Sequence, residues 1–465
     1  MSAAGAANYR VFKVLKRLKK NGFRERFEEA NILKEVDIFG KVVGLNYYES
    51  LYSPMVTASF IQQDVGGTVG DQKDDFAGTL KDGLPIEGFE EVLLKVGTTY
   101  GSIDWRAKKR RFVITGSPFN IDNGNRQSAY FPMVSINAIR SSSKPIKRIY
   151  DEAKISDIVK IILKDSGLPF KDRNIEETEN SMKVSGNNEN PLDTILKLCP
   201  KSVPVNGDPG YFFFENSEGF NFRSIHGMIN DGLKRFVERT EQGTAFGYGA
   251  KHTYVYKIGL TAQLDKNTND FNVLTSPTVR RDQDQLNAIK MGQYNVRICT
   301  RNIITGQVDE EIVNVYNNTT DKKTVTLGKK NEDDVNNDQT SESNKKENYC
   351  RTYSYVIAGG EDSVGVTTAI SNNPAKYQPK AIMRYGLIHA QLVNIIVPHN
   401  AELTVGEVIR LNIENITQDN KIEKEFNEHR SGYYLILHLC HSFTTENSFT
   451  SLTLARDEYG IARRL

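Results

Sequence analysis

CxxC pairs, membrane-spanning runs and a bias of charge are all missing from this chain of 465 residues. Its four cysteines, Cys199, Cys299, Cys350 and Cys440, are widely scattered and form no CxxC pair, so the simplest expectation is a reduced protein assembled in the cytosol. No run of about 18 apolar residues occurs and the N-terminus lacks the apolar core of a signal peptide, which points to a soluble protein made inside a cell. Sixty Lys and Arg stand against 58 Asp and Glu for a net charge of +2, which disfavours a globally basic nucleic-acid binder. Neither GxSxG nor HExxH is present. No Asp or Glu pair stands out in an apolar setting that would raise a pKa for glycoside hydrolysis. An enzyme is not thereby excluded, because an acid and a base need only meet in space.

What the chain does have is glycine and aromatic residues: 35 Gly, 21 Tyr and 22 Phe, with few long helical patterns. That composition favours a mainly β chain with helical accessories, and its length allows several domains with well-buried cores. Residues 9–34 read as a helical arm, since Val11, Val14, Leu15 and Leu18 recur at i, i+3, i+4, i+7 while Lys13, Lys16, Arg17 and Lys20 fill the rest. Asn21-Gly22 interrupts it. Such a basic amphipathic segment suits a membrane or nucleic acid, or an arm docked on the body or on a neighbouring subunit.

From Val42 to Ile139 the pattern is of strands and polar turns. Val56, Ala58 and Phe60 alternate with Thr57, Ser59 and Ile61, Val92, Leu94 and Val96 with Leu93 and Lys95, and Phe112 and Ile114 flank Val113. Asp64 to Gly88 reads as a long connection. A closed antiparallel barrel would remove the edges that such strands expose. Residues 146–232 change to an α/β pattern. One helix carries Ile158, Ile161 and Ile162, with Ser156 as its expected N-cap and Gly167 and Pro169 as its stop. A second, capped by Asn190-Pro191, carries Leu192, Ile195 and Leu196 and ends at Pro200. Tyr211 to Phe214 and Phe220 to Phe222 straddle Asn216 to Gly219 as a hairpin.

Strand signals return at Phe271 to Val273, Tyr294 to Ile298 and Glu311 to Tyr316. Asn317 to Asn348 is rich in Asn, Asp, Lys and Ser and cannot offset its ordering entropy by burial, so a long exposed insertion is expected there. The pattern resumes at Leu392 to Val397. It ends in three strands, Val408 to Ile413, Tyr433 to Cys440 and Phe449 to Leu454, whose short spacing favours an antiparallel meander or barrel wall. In the first, Ile409, Leu411 and Ile413 share one face and Arg410 and Asn412 the other.

Three local patterns invite chemistry. His438, Cys440 and His441 form HxCH, but on a strand the first two point to one face and His441 to the other, so three convergent metal ligands are not available. Gly243 to Lys251 is glycine-rich without the GxxxxGK[ST] order or a preceding apolar strand, as in a flexible loop. Arg106, Lys108, Lys109, Arg110 and Arg111 form a basic run suited to a solvated turn, to ion pairs at a subunit contact, or to passing DNA. No catalytic, cofactor-binding or metal residue is assigned.

The segments LTVGEVIRLNIEN (403–415), SGYYLILHLCHSF (431–443) and FTSLTLARDEYG (449–460) resemble the end of the tube-like baseplate hub proteins of contractile-tailed, T-even-like bacteriophages. GNRQSAYFPMVSINAIRSSSKPIKRIYDEAKISDIVKIIL (124–163) resembles that family's junction between its first barrel and its α/β lobe. GYFFFENSEGFNFRSIHGMI (210–229) resembles the strand pair closing the lobe, and AIKMGQYNVRICTRNIITGQVDEEIVNVY (288–316) a strand pair of the second barrel. The resemblance implies two tail-tube-like antiparallel β-barrel domains in one chain with an α/β accessory lobe. Its divisions are an N-terminal helical arm (1–37), a first barrel (38–145), the lobe (146–235), a second barrel with the insertion near 317–348 (236–430), and C-terminal strands completing the hub (431–465). It further implies a homotrimer forming a pseudo-sixfold ring between the sixfold tail tube or tube-initiator ring and a trimeric central spike protein.

The bore of such a ring passes DNA only in transit, with no stable membrane association and no cofactor. The expected place is the virion baseplate after assembly in the host cytoplasm. The arm and the insertion have no counterpart in the family and are candidates for contacts with baseplate wedge proteins. Related spike proteins often continue into a β-helical needle, whereas this sequence ends at Arg463-Arg464-Leu465, so a spike is expected on a separate polypeptide. Two rivals stay open: a tail-associated peptidoglycan hydrolase, and the hub of a contractile secretion or toxin-delivery particle.

Overall fold

The computed structural model of the protein describes residues 8–19, 31–65, 88–98, 101–107, 110–116, 119–123, 126–241, 255–258, 273–274, 278–282, 295–302, 308–314, 351–357, 374–413 and 430–457, with residues 86, 286, 290, 306 and 427. The chain is mainly β. Its first unit contains β1 (Asn8–Lys19), β2 (Asn31–Asp37), β3 (Val42–Ser50), β4 (Thr57–Val65) and β5 (Glu91–Thr98). It is completed by β6 (Gly101–Trp105), β7 (Phe112–Ile114), β8 (Phe119–Asn123) and β9 (Arg126–Ser135). The ladder runs β3-β4-β9-β7-β5-β1-β2, with β6 on β5 and β8 on β9, and every pair is antiparallel.

Alternation decides which side chains go inside. Val56, Ala58 and Phe60 are buried while Thr57 and Ile61 face outward, and Val92, Leu94 and Val96 are buried beside Phe112 and Ile114. Phe12 on β1 meets Phe60 on β4 edge to face at 5.0 Å, although three strands separate them along the ladder, so the sheet curls around a shared core. Among the described residues no ladder closes the curl into a ring.

The helix expected over residues 9–34 is replaced by β1 and β2, an antiparallel pair whose first strand also pairs with β5. Phe12 and Val14 are fully buried, and their spacing of two matches the pleat of β5. The i, i+3, i+4 pattern of Val11, Val14 and Leu15 was equally present, but burial against β5 outweighs a weak local propensity.

A lobe with its own core follows: α1 (Ile136–Ser142), β10 (Ile149–Lys154), α2 (Ile155–Asp165), β11 (Phe170–Ile175) and β12 (Ser181–Ser185). Next come α3 (Pro191–Leu198), β13 (Tyr211–Asn216), β14 (Gly219–Ser224) and α4 (Ile225–Glu241). Helix α2 buries Ile155, Ile158, Val159, Ile162 and Leu163, each contributing about 1.5–3 kcal/mol of transfer free energy against α3, Phe213, Phe220 and Phe222. Asn190 caps α3 as expected, its side chain accepting from Leu192 N at 2.9 Å. Ser156 does not cap α2: Lys154 holds that position, and the Ser156 N–H donates to Thr178 Oγ1 at 3.0 Å. Hairpin β13–β14 is antiparallel, and β11 adds to it in parallel.

The second unit comprises β15 (Val255–Ile258), β16 (Val273–Leu274), β17 (Thr278–Asp282), β18 (Asn295–Asn302), β19 (Val308–Asn314) and β20 (Arg351–Ile357). It ends with α5 (Pro374–Leu387), β21 (Gln391–Pro398), β22 (Val408–Ile413), β23 (Gly432–Thr444) and β24 (Ser448–Arg456). The expected C-terminal meander is there, β22-β23-β24-β21, all antiparallel. Two features differ from the antiparallel barrel expected. β15 runs parallel to β22 and β16, and β18 with β19 joins β20 in a separate three-stranded sheet. The insertion at 317–348, the Gly243–Lys251 loop and most of the Asp64–Gly88 connection lie outside the described residues.

The two units share one sheet. β23 pairs with β3 in antiparallel register from His438↔Ser50 to Thr444↔Gly44, and one core runs from Phe12 to Ala455. Helix α4 leaves the lobe and buries Ile225, Met228, Ile229, Leu233 and Phe236 in that core, with Phe236 edge to face on Tyr433 at 5.2 Å.

Candidate functional site

Where the two units and the lobe meet, buried carboxylates take the main-chain donors of all three. The alternation of β3 that puts Leu45 and Tyr47 inside also puts Glu49 and then Leu51 inside. Glu49 Oε1 accepts from Tyr47 Oη at 2.7 Å and from Ser217 N, in the β13–β14 turn, at 2.7 Å. Its Oε2 accepts from Val405 N, in the β21–β22 connection, at 3.1 Å. Burial pushes the Glu49 carboxyl up to about 7, against the three donors that favour its ionised form.

Glu215 on β13 makes the second clamp. It accepts from Asn137 Nδ2 at 2.7 Å, Ser135 Oγ at 3.0 Å and Val56 N at 3.1 Å, tying the hairpin to the start of β4 and the β9–α1 junction. Burial raises its pKa, and the hydrogen bonds and the Arg110 charge oppose the rise. Glu176 holds the third joint: it accepts from Ser224 N at 2.8 Å and Ser224 Oγ at 2.6 Å at the entry to α4. Burial raises its pKa too, opposed by those bonds and by Arg223. Glu407, whose charge adds to the rise at Glu49, pairs with Arg235 of α4 at 3.1 Å.

Beside the Glu49 clamp lies a polar cleft of about 330 Å³ between the β13–β14 turn, α4 and the β21–β22 connection, with Asn216, Asn221, Arg223, Arg235 and Glu402 on its walls. On the other side Tyr47 contacts Trp105 (ring centroids 6.0 Å) and His441 (5.8 Å). His441 pairs with Thr450 Oγ1 at 2.8 Å, and His399, 5.0 Å from it ring to ring, pairs with Thr98 Oγ1 at 2.9 Å. Burial depresses both imidazoles, that of His399 to about 4. Carboxylates in apolar surroundings with raised pKa values are therefore present, contrary to the sequence expectation. Both carboxylate oxygens of Glu49 and of Glu215 accept hydrogen bonds from protein donors, so their arrangement suits holding elements together.

The HxCH residues separate as their strand demands. His441 is buried, while His438 and Cys440 are half-buried on the opposite face, where His438 meets the Tyr52 ring at 5.5 Å. Among the described residues no group of three or more His, Cys, Asp or Glu side chains could hold a metal. The basic run is partly neutralised within the chain. Arg106 pairs with Asp104 at 2.6 Å, Arg111 with Glu91 at 2.6 Å, and Arg110 lies over the Trp105 ring at 5.1 Å. The one signal that could have revealed Glu49 is its place in Leu45-Asn-Tyr-Tyr-Glu-Ser-Leu51, a carboxylate in the inward phase of an apolar alternation.

No protein-family model and no curated protein matches the sequence. Among solved structures, the 43 kDa tail protein of prophage MuSo2 from Shewanella oneidensis is similar to 97% of this chain and 100% of its own, at 10% identity and a TM-score of 0.47. A tail protein from Neisseria meningitidis MC58 covers 98% of this chain and 97% of its own, at 10% identity and a TM-score of 0.46. An Escherichia coli component of the type VI secretion system, described as structurally similar to tail proteins of bacteriophage T4, covers 91% of this chain and 76% of its own at 10% identity and a TM-score of 0.39.

Proposed function

We propose that the chain is a structural subunit of a phage-tail baseplate hub that works by assembly geometry rather than turnover. The observation that carries this reading is the β3–β23 ladder, which fuses two β units edge to edge in one chain. Three such chains around an axis present six β walls, so a threefold assembly can meet a sixfold tube on one side and a threefold spike on the other. The segments resembling the hub family lie on the elements that make this arrangement: 431–443 and 449–460 on β23 and β24, and 124–163 across β9, α1 and α2. The use of Glu49 and Glu215 as clamps on main-chain donors also favours a scaffold over a hydrolase.

On this reading the partners are two further copies, a trimeric central spike and the first ring of tube or tube-initiator proteins, with a bore for the genome in a contractile virion assembled in the host cytoplasm. The N-terminal pair β1–β2 and the 317–348 insertion are the candidates for wedge-protein contacts. Light scattering on the purified protein, alone and with a candidate spike, tests this. A trimer that takes up a spike trimer is expected. A monomer that binds no spike, or peptidoglycan cleavage by the isolated chain, overturns it.

A further inference from the structure

The outward face of the sheet that joins the two β units holds no Asp, Glu, Lys or Arg. Within Ser128–Val134 of β9, Thr57–Gln63 of β4, Gly44–Ser50 of β3, His438–Thr444 of β23, Phe449–Thr453 of β24 and Leu392–Pro398 of β21, the single residue of those four types is Glu49, and it is buried on the inward side. Charged residues make up 25% of the chain, and the solvated face of an antiparallel sheet is where they ordinarily collect. One outward row, read by register across the six strands, is Val134, Thr57, Tyr48, Cys440, Ser451 and Ile396. Thr57, Tyr48 and Ile396 are exposed.

We propose, resting on the hub reading above, that this face is the wall of the bore and that its neutrality lets duplex DNA slide past without being held. The face runs unbroken across the β3–β23 seam, so both units contribute to it and three copies present it six times around an axis. Charge returns once the ladder passes β9. Lys95 on β5 pairs with Asp104 on β6 at 3.4 Å, and Glu91 on β5 pairs with Arg111 at 2.6 Å. The flank of the first unit thus holds the charges that suit solvent or a polar interface rim, and the face across the seam holds none.

Threefold repetition makes the absence of charge count. One Lys per chain on the wall would set three cations against the phosphates of a passing duplex, and each phosphate neutralised releases counterions and tightens binding. One Glu per chain would set three charges of the duplex's own sign across its path. Ser59, Asn46 and Ser442, register partners in the neighbouring outward row, are small hydroxyl and amide side chains. Such groups donate to phosphate oxygens and to water alike, so their contacts are exchanged rather than kept.

Light scattering on the wild-type protein comes first, since a monomer overturns the hub reading itself and the bore assignment with it. Given a trimer, the test is Thr57→Lys combined with Ser451→Lys, one lysine on each unit's part of the wall, titrated with a DNA duplex of about 20 base pairs at about 50 and 200 mM salt. The wild type is expected to retain no duplex. The variant is expected to stay trimeric and to bind one duplex per three chains, with an affinity that drops about a hundredfold or more between the two salt concentrations. Three duplexes per trimer would put the face on the outside of the ring, and a folded but monomeric variant would put it between copies. Either result overturns the proposal, as does a trimeric variant that binds no duplex or a wild type that binds as tightly as the variant. If circular dichroism shows the double variant unfolded, Thr57→Lys alone, at an exposed position, gives the same stoichiometric readout.

Discussion

The main-chain N–H of Ser217 reaches the Glu49 carboxylate at 2.7 Å across 168 residues of chain. The hairpin turn that carries Ser217 belongs to the lobe, and the strand that carries Glu49 is the one that fuses the two β units. A single acid therefore reports whether three parts of the molecule are in register.

Removing the second clamp should cost more than removing an average buried side chain. Glu215→Ala leaves Val56 N, Ser135 Oγ and Asn137 Nδ2 without their acceptor, and a loss of about 2–4 kcal/mol is expected from urea unfolding. Glu215→Gln, which keeps one carbonyl oxygen, should lose less. Equal losses in the two variants would show that the carboxamide oxygen does not replace the clamp.

Acid should weaken the seam between the units through His399. Its imidazole is pushed down to about 4 by burial, so the native state binds fewer protons than the unfolded chain below 6.5. Stability is then full above about 6.5 and falls toward 4, by about 3 kcal/mol for this group. Glu49 acts with the opposite sign, its contribution lost as pH rises from about 4.5 to about 7, so the two effects offset each other across much of that window. His399→Gln should remove the acid-side loss and leave a stability–pH curve, measured by chemical unfolding, that falls more steeply with rising pH than that of the wild type.

The N-terminal pair is held by its buried strand face. Phe12→Ala removes the edge-to-face contact with Phe60 and opens a cavity under β1, with an expected cost of about 3–5 kcal/mol. Limited proteolysis should then cut first within residues 8–37. A helix docked by Val11, Val14 and Leu15 would instead bury Val11, which is only half-buried on β1, and make Val11→Ala costly as well.

At Gly406 the backbone has φ of +83°, and a Cβ there would sit 3.1 Å from Met228 Sδ and 3.2 Å from Phe214 Cζ. Gly406→Ala should cost about 1–3 kcal/mol from the left-handed backbone and the crowding together. Because Val405 precedes it, exchange of the Val405 amide should quicken in this variant more than exchange within β24.

Most strands were legible because they bury one face and expose the other. Val92, Leu94 and Val96, or Ile409 and Leu411, announce their inward phase by spacing alone, and Asn190-Pro191 announces a helix start by its local chemistry. The N-terminal segment was not legible, since Val11, Val14 and Leu15 satisfy two periods and only the presence of β5 selects one. Ser156 was misread as a cap for a similar reason. Its N–H is satisfied by Thr178, a partner 22 residues away that no local window contains.

The sequence by itself determined a mainly β chain, the α/β character of residues 146–232 and the faces of most strands, because those depend on side-chain order over a few residues. Only the tertiary structure decided that β3 pairs with β23, that β18 to β20 stand apart as their own sheet, and that Glu49 and Glu215 become the clamps of the interior. Those outcomes rest on which distant main-chain donors are left without partners when the units pack, and a buried N–H must find its acceptor wherever in the chain one lies.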